Sequence, residues 1–219
     1  MPVSVANFLR IKKEVEEAGA LLVAVSKKKP IEDILTLYEQ GQRDFGENYV
    51  QELIEKQPLL PADIRWHFIG HLQRNKVKYI APICSLIQGV DSLALLDEIN
   101  KQAIRCNRTI DCLLQVHIAQ EETKFGFDEA ELASIMPLLA ARKNVRILGL
   151  MGMASFTAEE LQIRAEFQHL KRIAAQHAAY FSLAGAPVVS MGMSGDYSIA
   201  LKEGSTLVRI GSLLFGARQ

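Results

Sequence analysis

The chain has 219 residues, of which 49% are hydrophobic and 23% charged, a composition typical of a globular protein with one large domain or two small ones. Its 25 basic and 25 acidic residues give a net charge of zero, which argues against electrostatic capture of nucleic acid or of an anionic membrane. Three cysteines without CxxC spacing, no signal-peptide pattern and no apolar run near the ~20 residues of a membrane span predict a cytoplasmic protein without disulfides or zinc.

Short apolar runs alternate with amphipathic stretches along the chain. The runs that predict strands are residues 21–26, 43–45, 66–70, 86–90, 110–118, 145–151, 188–191 and 207–210. An N-terminal helix is predicted by the helical spacing of Phe8, Ile11 and Val15. Eight strands with helices between them predict a parallel sheet, and their number favours a single (β/α)8 TIM-type barrel domain over residues 1–219. A shortened barrel and an open doubly wound sheet are the alternatives.

Three lysines follow the first predicted strand, at positions 27 to 29. A lysine at the end of a buried strand is partly stripped of water, and burial together with the neighbouring charges of Lys28 and Lys29 disfavours its ammonium form. The pattern therefore predicts a reactive amine at Lys27, which is what an aldehyde needs to form a Schiff base. A solvated cluster of three positive charges is the alternative interpretation.

The second and third strands are followed by polar loops that can reach the same end of a barrel. Asn48 offers both a donor and an acceptor, and Glu47 is expected to interact electrostatically with the start of the next helix. His67 and His71 straddle a strand-to-helix junction, so we expect structural roles for both and no metal site. The chain also lacks GxSxG, GxxxxGK[ST] and GxGxxG motifs, which weakens hydrolase, P-loop and dinucleotide-binding hypotheses.

Glycine- and serine-rich loops follow the seventh and eighth strands. Residues 190–196 read SMGMSGD and residues 209–216 read RIGSLLFG, with Asp196 at the start of a helix predicted over 197–202. Glycines let the backbone approach an anion closely, and serine hydroxyls and backbone amides can donate hydrogen bonds to it. Because phosphate sites in barrels commonly follow strands seven and eight, the two loops predict a phosphate cup. Glycines that serve only tight turns are the alternative.

Arg209 is unusual because it lies inside the apolar run 207–210. On a strand its side chain shares a face with Leu207. A buried arginine requires a partner, since an unpaired charge in a low dielectric is expensive. The sequence allows either a structural salt bridge or a guanidinium that faces an aromatic nitrogen or an anionic ligand at the end of the barrel.

Six segments of the chain resemble the pyridoxal-phosphate homeostasis protein family. They are AVSKKKP (24–30), DFGENYVQE (44–52), WHFIGHLQRNK (66–76), EETKFGF (121–127), GLMGM (149–153) and SMGMSGDYSIALKEGSTLVRIGSLLFGAR (190–218). The match runs in order over nearly the whole chain. The resemblance implies a single barrel like the N-terminal domain of alanine racemase, with pyridoxal 5′-phosphate (PLP) held as a Schiff base on Lys27.

The same resemblance implies the roles of the other site residues. The phosphate cup falls on Ser194, Gly211 and Ser212, the partner of the pyridine nitrogen on Arg209, and Asn48 lies near the ring. Lys29 corresponds to a second lysine close to the site, whereas Lys28 replaces a residue that is often small and polar. The implied cofactor-binding residues are Lys27, Asn48, Met193, Ser194, Arg209, Gly211 and Ser212, and no residue is assigned a catalytic or metal-binding role.

The function that the resemblance implies is intracellular PLP, or vitamin B6, homeostasis without catalytic turnover. An arginine beside the pyridine nitrogen disfavours ring protonation, which makes the ring a poorer electron sink. A racemase of this barrel type uses a second base, usually a tyrosine from another domain or subunit, and no tyrosine here is obviously placed for that role. We expect a monomer, with apo forms of PLP-dependent enzymes as candidate recipients. The alternatives are a PLP-dependent amino-acid racemase of the alanine racemase type and a phosphosugar-binding barrel without a Schiff base.

Overall fold

The fold is a closed parallel barrel. The computed structural model describes residues 3–120, 125–182 and 185–216. The strands are β1 (Leu21–Val25), β2 (Asp44–Glu47), β3 (Arg65–Phe68), β4 (Cys84–Val90), β5 (Ile110–Gln115), β6 (Val145–Met151), β7 (Val188–Ser190) and β8 (Leu207–Ile210). Each strand pairs in parallel with the next, and β8 pairs with β1. The predicted (β/α)8 barrel is confirmed, and the open sheet is excluded.

Helices connect successive strands and surround the barrel. They are α1 (Val5–Glu17), α2 (Ile31–Glu39), α3 (Val50–Lys56), α4 (Val77–Ile80), α5 (Leu93–Arg105), α6 (Glu129–Ile135), α7 (Glu160–Gln176), α8 (Tyr197–Lys202) and α9 (Ser212–Phe215). Ser4 is the N-cap of helix α1. Its hydroxyl accepts a hydrogen bond from the Asn7 amide, and such a cap contributes about 1 kcal/mol to stability. Its predicted apolar face is confirmed, since Phe8, Ile11 and Val15 are fully buried. None of the helices within these ranges combines the length and the apolarity that crossing a bilayer requires.

Two apolar layers hold the barrel together. The larger one lies between the strands and the helices and includes the fully buried side chains of Phe45, Phe68, Ile87, Phe167 and Phe215. The smaller one fills the barrel interior with Val23, Leu86, Leu113, Met151 and Leu207. Strand residues alternate between these layers, because successive side chains of a strand point to opposite faces. The interior layer is the floor beneath the site.

Most strand boundaries lie within two residues of the predicted ones. Strands β6 and β8 and helix α8 have the predicted bounds, whereas β5 ends at Gln115 rather than at residue 118. There the returning chain takes over the pairing, with the Phe127 amide donating to the Gln115 carbonyl at 2.8 Å and a bridge between Val116 and Phe127. A long apolar run alone could not show that a later segment of the chain would pair there.

The loops at the carboxyl ends of the strands, which we call the barrel mouth, pack closely against one another. A Cβ added to Gly70, after β3, would lie 2.3 Å from the carbonyl oxygen of Asn48, after β2. A Cβ added to Gly211, after β8, would lie 3.2 Å from the Val25 carbonyl oxygen at the end of β1. Glycine at these positions allows backbones to approach where a side chain would separate them.

Candidate functional site

Lys27 lies in a tight turn directly after β1. Ser26 is buried and Lys27 is half-buried, and the Lys29 amide donates to the Ser26 carbonyl at 3.0 Å to close the turn. Lys28 has a φ of 58°, a left-handed conformation that residues with a side chain seldom adopt. Its amide donates to the Glu52 carboxylate of α3, which helps to hold the turn in this conformation. The turn is therefore fixed by contacts from outside the strand that precedes it.

A buried charged cluster supports this turn from below. Lys56 of α3 donates to Glu47 Oε1 at 2.8 Å, to Glu52 Oε1 at 2.6 Å and to the Ser26 carbonyl oxygen at 2.8 Å. Glu47 Oε1 also accepts a hydrogen bond from the Ser26 hydroxyl at 2.7 Å. A lysine amine has three donors, and these three acceptors are positioned to use all of them. The cluster ties the residue before Lys27 to both β2 and α3.

Glu47 is the member of the cluster whose negative charge is least well stabilised. Its side chain is fully buried, and Oε2 has no hydrogen-bond partner among the described residues. Burial raises the pKa of Glu47 to about 6, an effect that the hydrogen bonds and charge of Lys56 only partly oppose. The sequence predicts that Glu47 interacts with the start of the following helix, whereas it lies at the end of β2 and pairs with Lys56 at the end of α3. The only sequence signal was a Glu52-to-Lys56 spacing of i,i+4, which is common on ordinary helix surfaces.

Lys29 has a different position from Lys27. Its Nζ donates to the carbonyl oxygen of Phe215 at 2.7 Å and to that of Gly216 at 3.4 Å, at the end of α9. A cation at the last carbonyls of a helix satisfies groups that have no partner within the helix. Lys29 therefore joins the first turn of the barrel to the last helix. The three-lysine segment is not simply a cluster of solvated charges.

The loops after β7 and β8 meet at the barrel mouth. The Gly211 amide donates to the Ser194 hydroxyl at 3.3 Å, which brings two predicted cup residues into contact. Asp196 precedes α8 as predicted, and its carboxylate accepts from the Met193 amide at 2.5 Å. Ser212 and Met193 are exposed beside them. The β1–β8 register pairs Ala24 with Ile210, so the cup lies next to the Lys27 turn.

Arg209 is buried in the barrel interior just below the mouth. Its Nη1 donates to the Ser190 hydroxyl at 2.5 Å and its Nη2 to the Gly152 carbonyl oxygen at 3.2 Å. Within the described residues these hydrogen bonds go to neutral groups, in contrast to the salt bridge considered above. Burial lowers the pKa of Arg209 to about 10, with Asp196 opposing the shift through its charge. Arg209 therefore remains a cation at neutral pH.

Asn48 follows β2 at the opposite side of the Lys27 turn from β8. Its Oδ1 is buried and has no hydrogen-bond partner among the described residues. It borders a cavity of about 510 Å³ that is also lined by Tyr49, His71, Lys76 and Tyr79. A buried amide oxygen of this kind requires a donor from water or a ligand.

The two histidines behave differently from each other. His67 is buried between Asp44 and Gln88, which agrees with a structural role. His71 is exposed, contacts Asp91 at 3.0 Å and stacks on Phe125 with 4.1 Å between ring centroids. Across residues 3–120, 125–182 and 185–216, no group of three potential ligands is close enough to hold a metal ion. Residues 121–124 of the EETKFGF segment lie outside the described residues.

Comparison with known proteins identifies the family. The family model described as alanine racemase, N-terminal domain, matches residues 5–219. The pyridoxal phosphate homeostasis proteins of Aquifex aeolicus and Homo sapiens are 39% and 38% identical to the chain. These alignments cover 96% and 90% of this chain, and 94% and 76% of the relatives. The relatives are named for homeostasis rather than for an enzymatic reaction.

Solved structures give the same assignment. PipY of Synechococcus elongatus is 35% identical with a TM-score of 0.90 in its structure without PLP, and 34% identical with a TM-score of 0.87 in its structure with PLP bound. Both comparisons cover 96% of this chain and 99% of PipY. Alanine racemase of Bartonella henselae is 18% identical with a TM-score of 0.73, covering 97% of this chain and 58% of the racemase, and shares the fold alone. This chain therefore belongs to the pyridoxal phosphate homeostasis protein family, built on the alanine racemase N-terminal domain.

Proposed function

We propose that the chain binds PLP at the barrel mouth and takes part in PLP homeostasis in the cytoplasm. The observation that carries the proposal is the β1–β8 register, which sets the Lys27 turn beside the Gly211 loop. PipY, which is similar over nearly its whole length, has been solved with PLP bound. The proposal treats residues 1–219 as one PLP-binding domain that acts as a monomer.

The residues at the mouth are suited to the aldehyde, the phosphate and the pyridine nitrogen of PLP. Lys27 supplies an amine for the aldehyde, and the turn that carries it is held by Lys56 and Glu47. Ser194, Gly211 and Ser212, with the adjacent Met193, supply hydroxyl and amide donors for the phosphate. Arg209 supplies a buried cation for the side of the ring that carries the nitrogen. Asn48 supplies an amide whose buried oxygen lacks a partner among the described residues.

The chemistry requires little of the protein beyond binding. When bound, PLP supplies an aldehyde that condenses with a lysine amine, forming a C=N bond and releasing water. The proposed function of the chain's own residues is to hold the phosphate and orient the amine. An incoming amine that takes the place of Lys27 would release the cofactor, and apo forms of PLP-dependent enzymes are the proposed recipients.

We further propose that the chain has no committed catalytic turnover. Arg209 stays charged at neutral pH, so a second positive charge on a nearby pyridine nitrogen is disfavoured. A neutral ring withdraws electrons less effectively than a protonated ring and stabilises a substrate carbanion poorly. The names of the relatives, which describe homeostasis, support this direction.

Borohydride reduction of the PLP-incubated protein, followed by intact mass and peptide mapping, tests the binding proposal. We expect one adduct, on Lys27, that is absent from Lys27→Ala and present in the neighbouring variant Lys28→Ala. An adduct on another lysine would contradict the assignment of the anchor. Absence of any adduct would favour a phosphate-binding barrel without a Schiff base.

Racemisation of a panel of amino acids by the purified protein tests the absence of turnover. We expect no rate above that of free PLP at equal concentration. A faster rate that disappears in Lys27→Ala would show that the chain is an enzyme.

A further inference from the structure

A continuous chain of hydrogen bonds crosses the barrel interior and ends at Arg209. Arg209 Nη1 donates to Ser190 Oγ at 2.5 Å, and Ser190 Oγ donates to Gln88 Oε1 at 2.7 Å. Gln88 Nε2 lies 3.1 Å from His67 Nδ1, and His67 Nε2 lies 3.0 Å from Asp44 Oδ1. Each of these five residues is at most 4% exposed. We call them the interior relay.

The interior relay joins strands that are not neighbours in the sheet. Ser190 lies on β7 and Gln88 on β4, so their hydrogen bond spans the barrel rather than following the sheet. At the far end, Arg65 of β3 holds both oxygens of the Asp44 carboxylate, with one contact, from Nε to Oδ1, at 2.8 Å. The relay thus extends from a partly exposed ion pair at the base of the barrel to the buried Arg209 at the mouth.

The charge at the base fixes the direction of every hydrogen bond in the interior relay. Burial raises the pKa of Asp44, but the hydrogen bonds from His67 and Arg65 outweigh it and hold the pKa below its ordinary value, so this carboxylate only accepts. His67 Nε2 must then donate, and its Nδ1 accepts, because the atom that faces it, Gln88 Nε2, can only donate. The amide oxygen consequently faces Ser190, whose hydroxyl donates to it and presents a lone pair to Arg209.

We propose that Asp44, His67, Gln88 and Ser190 are positioning residues that fix the guanidinium of Arg209 against the pyridine nitrogen of bound PLP. The inference deepens the proposed function and rests on it. With the relay intact, the Ser190 proton is directed to Gln88 and the Arg209 Nη1 proton to Ser190. Neither group is free to turn toward the ring, and the cation stays at one distance from the nitrogen.

The aligned dipoles also bear on the charge of Arg209. In each hydrogen bond of the interior relay the negative end points toward the arginine, because every donor gives its proton in the direction of the Asp44 carboxylate, which is the last acceptor. Such an arrangement stabilises a buried cation that makes its described hydrogen bonds to neutral groups. A substitution at Gln88, the middle residue of the interior relay, would keep the other four side chains in the barrel and disturb only the alignment of their hydrogen bonds.

The variant Gln88→Met breaks the interior relay without changing any charge, and Gln102→Met is its matched control. Gln102 is a buried glutamine on α5 that bonds Glu98, outside the barrel. Protein loaded with PLP labelled with ¹⁵N at the pyridine nitrogen is compared by NMR. In Gln88→Met we expect the ¹⁵N resonance of bound PLP to move from its wild-type position toward that of a PLP–lysine Schiff base free in water. We also expect release of PLP to be about tenfold faster, the loss equivalent to one hydrogen bond between neutral groups.

The outcomes separate this inference from the proposed function. If borohydride reduction leaves Lys27 of the wild-type protein without a PLP adduct, the proposed function itself is contradicted. In the other case, the wild-type protein carries the PLP adduct on Lys27 while Gln88→Met shows an unchanged ¹⁵N resonance and an unchanged release rate. That result would overturn the relay inference alone, even if the variant is less stable.

A measurement on the wild-type protein without PLP keeps the inference testable if Gln88→Met fails to fold. Long-range ¹H–¹⁵N spectra report which ring nitrogen of His67 carries the proton. We expect the proton on Nε2, with Nδ1 accepting from Gln88. A proton on Nδ1 would reverse the polarity of the chain and overturn the inference.

Discussion

The Lys27 turn and the loops of the proposed phosphate cup lie side by side at the barrel mouth, yet they are held by different kinds of interaction. Buried charges hold the turn, with Lys56 shared among Glu47, Glu52 and the Ser26 carbonyl. Backbone geometry and glycines hold the cup, through the contact of Gly211 with Ser194. The stability of the turn should therefore depend on charge and pH, whereas that of the cup loops should depend on the volume of added side chains.

Removal of the shared cation should produce the largest effect. We expect Lys56→Met to lower the free energy of unfolding by about 3–5 kcal/mol, because the buried Glu47 loses its charged partner. Urea denaturation measures the difference. The matched control is Lys101→Met, whose amine pairs with Glu98 on the surface with 57% of its side chain exposed. That variant should change the free energy by less than about 1 kcal/mol, and an equal loss in both would contradict the role of the cluster.

A methyl group in the cup should have the next largest effect. Gly192 has a φ of +96°, and an added Cβ would lie 2.5 Å from the Ala200 Cβ, which cannot move aside. We expect Gly192→Ala to lower the free energy of unfolding by about 2–3 kcal/mol. Gly195, in the same loop, has no atom within 4 Å of an added Cβ, so Gly195→Ala should be close to wild type. Thermal and urea unfolding of the two variants separate the cost of the steric clash at Gly192 from the effect of replacing any glycine in this loop.

The raised pKa of Glu47 predicts a dependence of stability on pH. The folded pKa of about 6 exceeds the ordinary value of 4.5, so the folded state binds this proton more tightly than the unfolded state. The contribution is fully present below about pH 4.5 and is lost as the pH rises through about 6. It amounts to about 2 kcal/mol.

The neutral variant Glu47→Gln isolates this contribution from those of other carboxylates. We expect the wild-type protein to lose about 2 kcal/mol relative to Glu47→Gln between pH 4.5 and 7.5, as measured by urea denaturation. A constant difference across that range would show that Glu47 keeps an ordinary pKa.

The smallest effect should come from the left-handed residue of the turn. Lys28→Gly removes the steric cost of a Cβ at a φ of 58°, so we expect a gain of up to about 1 kcal/mol. Asn107→Gly is the control, with a φ of 51° at a residue type that tolerates this conformation better. A smaller gain is expected there. A loss of stability in Lys28→Gly would indicate that the Lys28 side chain stabilises the turn.

The architecture was predictable from the sequence, and much of the site's support was not. Local apolar periodicity indicated eight strands, and the segments around Lys27, Ser194 and Gly211 are contiguous motifs. The interior relay could not be inferred, because Ser190 and Gln88 are 102 residues apart and meet only across the closed barrel. Gln88 lies in an apolar strand, where a single glutamine has no local pattern. Lys56 resembles any surface lysine of an amphipathic helix until the fold buries it.

The pairing of β8 with β1 places the first and last parts of the proposed site on adjacent strands. A nascent chain that still lacks β8 on the ribosome has Lys27 but neither Arg209 nor Gly211. Capture of the cofactor must therefore wait until β8 and the loop that follows it have been synthesised. Since a ligand stabilises only the state that binds it, PLP would favour the sealed barrel over any partly assembled form and would dissociate as soon as the seam between these two strands opened.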